Sequence, residues 1–181
     1  MNKKYGLAFT LTELMITVAI AGILASIAAP SFIEMIQRYR LKTVAEAIHA
    51  SLQYAKMQSV KENKSVELSF KRTSNTVWCY GITDEAIACD CIADAAACTI
   101  TENGTAIQKV ISSTHFSNVQ LAAEPANAFS FNPIRATVTS NGVTINNGPY
   151  TIRIKTSGFG KVSYCVPIGE SLWGGYKQCL P

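Results

Sequence analysis

Histidine is scarce in this chain: there are two, His49 and His115, and no catalytic motif surrounds either. That leaves little for imidazole-based nucleophilic or metal chemistry. CxxC knuckles are missing as well. The six cysteines, Cys79, Cys89, Cys91, Cys98, Cys165 and Cys179, follow a C-x9-C-x-C-x6-C pattern and then two distant positions, with no histidine at ligand spacing. A structural zinc site needs paired thiolates or Cys with His, so this pattern argues against one. A GxxxxGK[ST] loop is absent too. "SGFGK" (157–161) falls between two predicted strands, which makes its glycines turn residues. Paired carboxylates in a cleft-like context are also lacking. These absences exclude the usual enzyme patterns, and no catalysis, cofactor or metal is expected. Bases are missing from residues 73–102, which carry five acids; residues 103–181 carry six bases and two acids. The chain therefore has an acidic arm and a basic C-terminal half. No internal repeat and no low-complexity linker occurs.

The chain does contain one long apolar run. From Phe9 to Ala29, 21 residues are apolar or small apart from Thr, Ser and Glu13. As a helix, this run spans roughly 30 Å, the thickness of a hydrocarbon core. Lys3 and Lys4 precede it, which keeps the N-terminus cytoplasmic and sends the rest across. A secretory signal would have a shorter run followed by a small-residue cleavage site, which "SIAAP" imitates. A plain single-pass anchor is the other reading, and Glu13 argues against both. A carboxylate within a membrane helix costs about 2.5–3.5 kcal/mol and needs a partner. A cut between Ala8 and Phe9 creates one, the new α-amino group of a neighbouring subunit.

The stretch "FTLTELMITVAIAGILASIAAP" resembles the N-terminus of the type IV pilin superfamily. Phe9, Glu13, Gly22 and Pro30 carry the resemblance, after a short basic leader. It implies cleavage by a prepilin peptidase and N-methylation of Phe9. It also implies assembly with other pilins or pseudopilins through the N-terminal helix, from an inner-membrane precursor. The family's peptidase usually cuts after Gly, whereas Ala8 precedes Phe9 here. Cutting after Gly6 would put Glu13 seventh in the mature chain.

Pro30 removes a backbone donor and Gly22 weakens helix propensity, so residues 22–30 form the weak stretch of the helix. Beyond it, Ile33, Ile36, Leu41, Val44, Ile48, Leu52 and Ala55 recur mostly at steps of three or four, as one apolar stripe. The pattern predicts one helix from about Phe9 to about Glu62, ended by "ENKS". His49 and Tyr54 read as helix-boundary residues. From Ser65 the period becomes two. "VELSF", "TVWCYG", "TAIQKVI", "ATVTSNGVTINNGPYTIRIK" and "KVSYCV" read as strands, with a hairpin turn expected at Asn141-Gly142. The fold class is α+β, with a long N-terminal helix packed on antiparallel sheet. The expected parts are a leader (1–8), an apolar helix half (9–30), an amphipathic half (31–64) and a disulfide-bonded β domain (65–181).

An even cysteine count on an exported domain points to disulfides. Within 79–98 the spacing leaves two arrangements, 79–89 with 91–98 or 79–91 with 89–98, and links to Cys165 or Cys179 stay open. A Cys165–Cys179 bond would close a loop around "GESLWGGYK" and resemble the stapled C-terminal region of many pilins. The "WCYG…CDC…C" pattern resembles FimT/FimU-type minor pilins, and the GspH pseudopilin of type II secretion is the alternative, with a major adhesive subunit as a third. DNA is a candidate partner. Alternation puts Arg153 and Lys155 opposite Ile152 and Ile154, and a hairpin through "TSGFG" would set Lys161 across from Lys155. Lys177 follows, with Trp173 and Tyr176 near enough to stack on bases. FimT-like proteins that bind DNA carry a GRxR motif at about this place. Gly160 matches it, while Lys161 and Ser163 replace the two arginines. Lys lacks the guanidinium fork, so such binding is expected to be weak, salt-sensitive and indifferent to sequence. A solvated sheet face is the plain alternative.

Overall fold

The computed structural model describes residues 10–85, 87–135, 137–139 and 141–180. Lys3, Lys4, Ala8 and Phe9, on which the expected processing rests, lie outside the described residues. The chain divides into two compact units after Ile36.

Helix α1 (Leu11–Glu62) contains Pro30 and continues through it. Within the second unit, Leu41, Val44, Ala45, Ile48, Leu52 and Ala55 form the face that is sealed from solvent. These positions fall three or four apart, so one stripe of the helix feeds the core. The helix ends where "ENKS" predicts. Asn63 adopts φ +51° and the Lys64 amide donates to the Ser59 carbonyl at 3.2 Å. A left-handed residue with a bond back across it is a Schellman-type stop.

Two antiparallel four-stranded sheets follow. The first has order β5-β2-β1-β7, from β1 (Val66–Arg72), β2 (Trp78–Thr83), β5 (Val110–Ser112) and β7 (Phe129–Phe131). The second has order β10-β9-β8-β6, from β6 (Gln120–Ala123), β8 (Asn141–Asn147), β9 (Tyr150–Thr156) and β10 (Val162–Cys165). A small hairpin pairs β3 (Thr99–Glu102) with β4 (Thr105–Gln108). Alternate residues of both sheets join the helix stripe in one core. Leu68, Phe129, Ile145, Ile152 and Ile154 are fully enclosed there.

Three expectations need correction. The hairpin turn is not at Asn141-Gly142. Those residues pair with Thr156 and Lys155 inside the β8–β9 ladder, and the turn is Gly148-Pro149, between paired Asn147 and Tyr150. Gly148 has φ +59°, and proline fixes the next φ as negative, which suits a II′ turn. At Gly142, inside the ladder, a Cβ would stand 2.8 Å from Nε of Arg153, an exposed side chain that can move aside. Second, "TAIQKVI" is two strands. The Lys109 amide bonds to the Cys98 carbonyl at 2.8 Å while its carbonyl accepts from Ile82 at 3.0 Å, so the chain changes partner at that residue. Third, Lys155 stands across from Ser163 and not from Lys161, which lies before β10 and closes the loop on Ser157.

The disulfides are Cys79–Cys91, Cys89–Cys98 and Cys165–Cys179. The first two fold the acidic arm back over the outer face of β1 and β2. Ser69 Oγ donates to the Cys89 carbonyl at 2.6 Å, and Gly81, paired with Ser69, lies under the sulfurs of Cys89 and Cys98. This covering explains why every residue of β2 is buried, although a half-exposed strand would alternate.

Candidate functional site

The first candidate region is the apolar half of α1. Leu11, Leu14, Met15, Ile16, Val18, Ile20, Ile23, Leu24 and Ile27 are all more than half exposed. This helix is long and apolar enough to cross a membrane. Three of its hydroxyls fold back on the helix. Thr17, Ser26 and Ser31 each donate to the carbonyl three residues back, at 2.9, 2.7 and 2.9 Å. Such bonds satisfy polar groups where hydrocarbon offers no partner. From Thr10 to Ala29, Glu13 is the single charged side chain. It also has a local role. Thr10 Oγ1 accepts from the Glu13 amide at 3.2 Å, and "TLTE" has the spacing of a capping box. A carboxylate in the first turn further suits the helix dipole.

The second region is the outer face of β9 and β10 with the stapled tail. Arg153 projects to solvent while Ile152 and Ile154 are fully buried, as alternation requires. Lys155 Nζ donates to the Leu180 carbonyl at 3.1 Å, so this base also holds the tail. Lys161 and Lys177 are exposed. Gly160 has φ +71°, and a Cβ there would meet Lys56 Nζ at 2.8 Å. Lys56 thus stands beside the loop, although it belongs to α1. Sequence periodicity gave no signal for this, since helix and loop meet only in the folded unit. Trp173 is not available for stacking on a base: it is 7% exposed and its Nε1 donates to the Thr151 carbonyl at 2.8 Å. Its ring packs edge-on against Tyr150 and Tyr176. Tyr176 remains half-exposed.

The remaining polar pairs of the domain are structural. His49 Nδ1 is hydrogen-bonded with the Tyr164 hydroxyl at 2.5 Å. Burial, then the charge of Glu46 and the neighbouring Tyr176, push the Tyr164 phenol up to about 12. Tyr54 donates to Glu102, and Lys109 lies 5.0 Å from the Tyr54 ring centre. Burial raises the Tyr54 phenol, and the Glu102 carboxylate raises it further. At Asp84, desolvation would raise the carboxyl, but hydrogen bonds from Thr101 and Lys64 outweigh it and hold the group below the ordinary carboxylate range. Tyr54 and Glu102 tie β3 to the helix, Asp84 and Thr101 tie it to the residue after β2, and His49 and Tyr164 tie β10 to the helix. Among the described residues, no group of three His, Cys, Asp or Glu is placed to hold a metal ion.

Residues 44–160 match the family described as type II transport protein GspH, and residues 5–29 match the prokaryotic N-terminal methylation motif. The chain belongs to the GspH family. This GspH-family chain is a structural protein of the type IV pilin and pseudopilin kind. Its apolar helix and methylation motif are consistent with prepilin-peptidase processing, helix-mediated assembly and a single-pass membrane precursor. Two crystal structures of the type IV minor pilin FimU of Pseudomonas aeruginosa are similar to it. One has 12% identity and a TM-score of 0.43, covering 68% of this chain and 90% of that one. The other has 14% identity and a TM-score of 0.46, covering 70% and 88%. Likeness at that level carries nothing about function. No curated protein matches the chain.

Proposed function

We propose that this chain is a minor pilin of a type IV pilus. It is made as a single-pass inner-membrane precursor, N-terminus in the cytoplasm and disulfide-bonded domain in the periplasm. The prepilin peptidase removes residues 1–8, and Phe9 becomes the methylated amino terminus. Helix α1 then enters or primes the filament, which carries the domain to the cell surface. The observation that supports this reading is Glu13, the lone charged side chain on an exposed, otherwise uncharged helix half. A neighbour's amino group is the partner that removes the cost of that carboxylate in hydrocarbon. The family description favours a second reading, a pseudopilin of a type II secretion system. Deletion of the gene separates the two. A pilin is expected to cost the cell its pili and leave exoprotein secretion intact. Normal piliation with failed secretion would hand the chain to the pseudopilin reading.

The proposal extends to DNA as a weakly held extracellular partner. Arg153, Lys155, Gly160, Lys161 and Lys177 are the proposed contacts. In its support, residues 125–169 contain no Asp or Glu, so no carboxylate of that stretch opposes a phosphate. In full-length protein in detergent, Lys155→Glu with Lys161→Glu is expected to abolish a DNA gel shift seen at low salt. A wild-type protein that shifts no DNA, or a double variant that shifts it equally, defeats this part and leaves the filament role standing.

A further inference from the structure

Two loops meet at one end of the globular unit. Residues 132–135 leave the Phe131–Val138 bridge, and the Asn132 amide donates to the Thr137 carbonyl at 2.8 Å. The loop 157–161 is closed by the Ser157 amide on the Lys161 carbonyl at 3.0 Å and the Gly160 amide on the Ser157 carbonyl at 2.7 Å. Between them, the Val138 amide donates to the Gly158 carbonyl at 3.1 Å. Each loop holds a large apolar side chain out to solvent: Ile134 is 86% exposed and Phe159 87%. Gly158 and Gly160 flank Phe159, so no adjacent side chain covers either face of its ring. Among the described residues no other aromatic ring lies against it. Three bases belong to the same two loops or stand beside them. Lys161 follows two residues on, Arg135 follows Ile134, and Lys56 Nζ lies 3.4 Å from the Phe159 carbonyl.

A solvated charged face accounts for the lysines and the arginine. It does not account for an uncovered phenyl ring among them. An exposed flat apolar ring, in loops that also carry bases, fits a ligand with planar rings joined by phosphates. In a duplex those rings are stacked away inside; in a single strand they are free to lie on the phenyl. We propose that the two loop tips hold single-stranded nucleic acid, with a base stacked on Phe159 and phosphates on Lys161, Lys56 and Arg135. This rests on the DNA reading above and adds the strandedness and the aromatic that decides it.

The test uses full-length protein in detergent, titrated by anisotropy against a labelled oligothymidylate and a labelled duplex of equal length. The wild type is expected to favour the single strand. Phe159→Ala, which removes an exposed ring, should lose about tenfold on the oligothymidylate and less than twofold on the duplex. Phe159→Trp should restore the single-strand affinity, which a lost charge or lost fold would not allow. Equal affinity for both forms, with Phe159→Ala unchanged, overturns the strandedness and leaves DNA binding in place. Binding of neither form defeats the DNA reading itself. Tighter binding to anionic lipid vesicles than to oligothymidylate would make the tips a membrane contact and overturn the proposal.

Discussion

Glu13→Val leaves the protein in the membrane and out of the filament. Insertion is unharmed or improved, because the variant drops a carboxylate whose cost in a membrane helix reaches about 2.5–3.5 kcal/mol at the centre. Assembly suffers for the same reason in reverse. A neighbour's amino group, drawn into an apolar filament core without a counter-charge, costs on the order of 3–5 kcal/mol, a loss of a hundredfold or more in occupancy. The measurement is the ratio of the chain in sheared filaments to the chain in membranes, by immunoblot. Glu13 also sits three residues after Thr10, whose hydroxyl accepts from its amide. That bond runs to the backbone and survives the substitution. What the first turn forfeits is a favourable charge near the dipole, about 0.3–1 kcal/mol. Filament incorporation within twofold of wild type would reduce Glu13 to this helix-starting role and withdraw the assembly reading.

Gly81→Ala breaks the disulfide-bonded arm. A Cβ at this position would stand 2.4 Å from Cys98 Sγ, 2.6 Å from Cys89 Sγ and 2.9 Å from Cys98 Cβ. None of these atoms can swing aside, since the two sulfurs are bonded to each other and the arm is tied again by Cys79–Cys91. Either β2 shifts, with the core under Trp78 and Tyr80, or the Cys89–Cys98 bond fails to close. Overpacking of this kind costs about 3 kcal/mol, and loss of the disulfide costs a comparable amount. Gly142→Ala is the comparison. There the closest neighbour is Arg153 Nε at 2.8 Å, on an exposed, flexible side chain that can move. Its cost should stay below about 1 kcal/mol. Denaturant unfolding of the full-length proteins, read by tryptophan fluorescence, gives both values, and a thiol assay shows whether Cys89 and Cys98 remain paired. Equal stabilities for the two variants would mean that the arm does not press on β2.

The sequence alone determined the helix, its membrane-compatible half, its carboxylate and its stop at Asn63, because all of these are local. Apolar runs, a periodicity of three to four and a terminating "ENKS" act over one or two turns of chain. Strands β1, β8 and β9 were legible in the same way, from alternation over several residues, and β2 as the short apolar run in "TVWCYG". Strands β3, β6 and β7, of three or four residues each, left no readable period and exist because neighbours across the sheet accept their hydrogen bonds. Register was equally out of reach. "SNGV" offers an Asn-Gly turn, but the chain turns at Gly148-Pro149, because a turn at Asn141-Gly142 would break the pairing of those residues with Thr156 and Lys155. Disulfide choice followed the fold. Spacing allowed two pairings in the arm, and only the arm's return over Ser69 and Gly81 brings Cys89 against Cys98. The candidate nucleic-acid surface changed most. Trp173 looked like a stacking residue in the chain, but the core took it, since its indole fills space beside Tyr150 and its N–H finds the Thr151 carbonyl. Phe159, unremarkable in "TSGFG", stands clear because the loop closes on its own backbone and leaves the ring no neighbour to bury it.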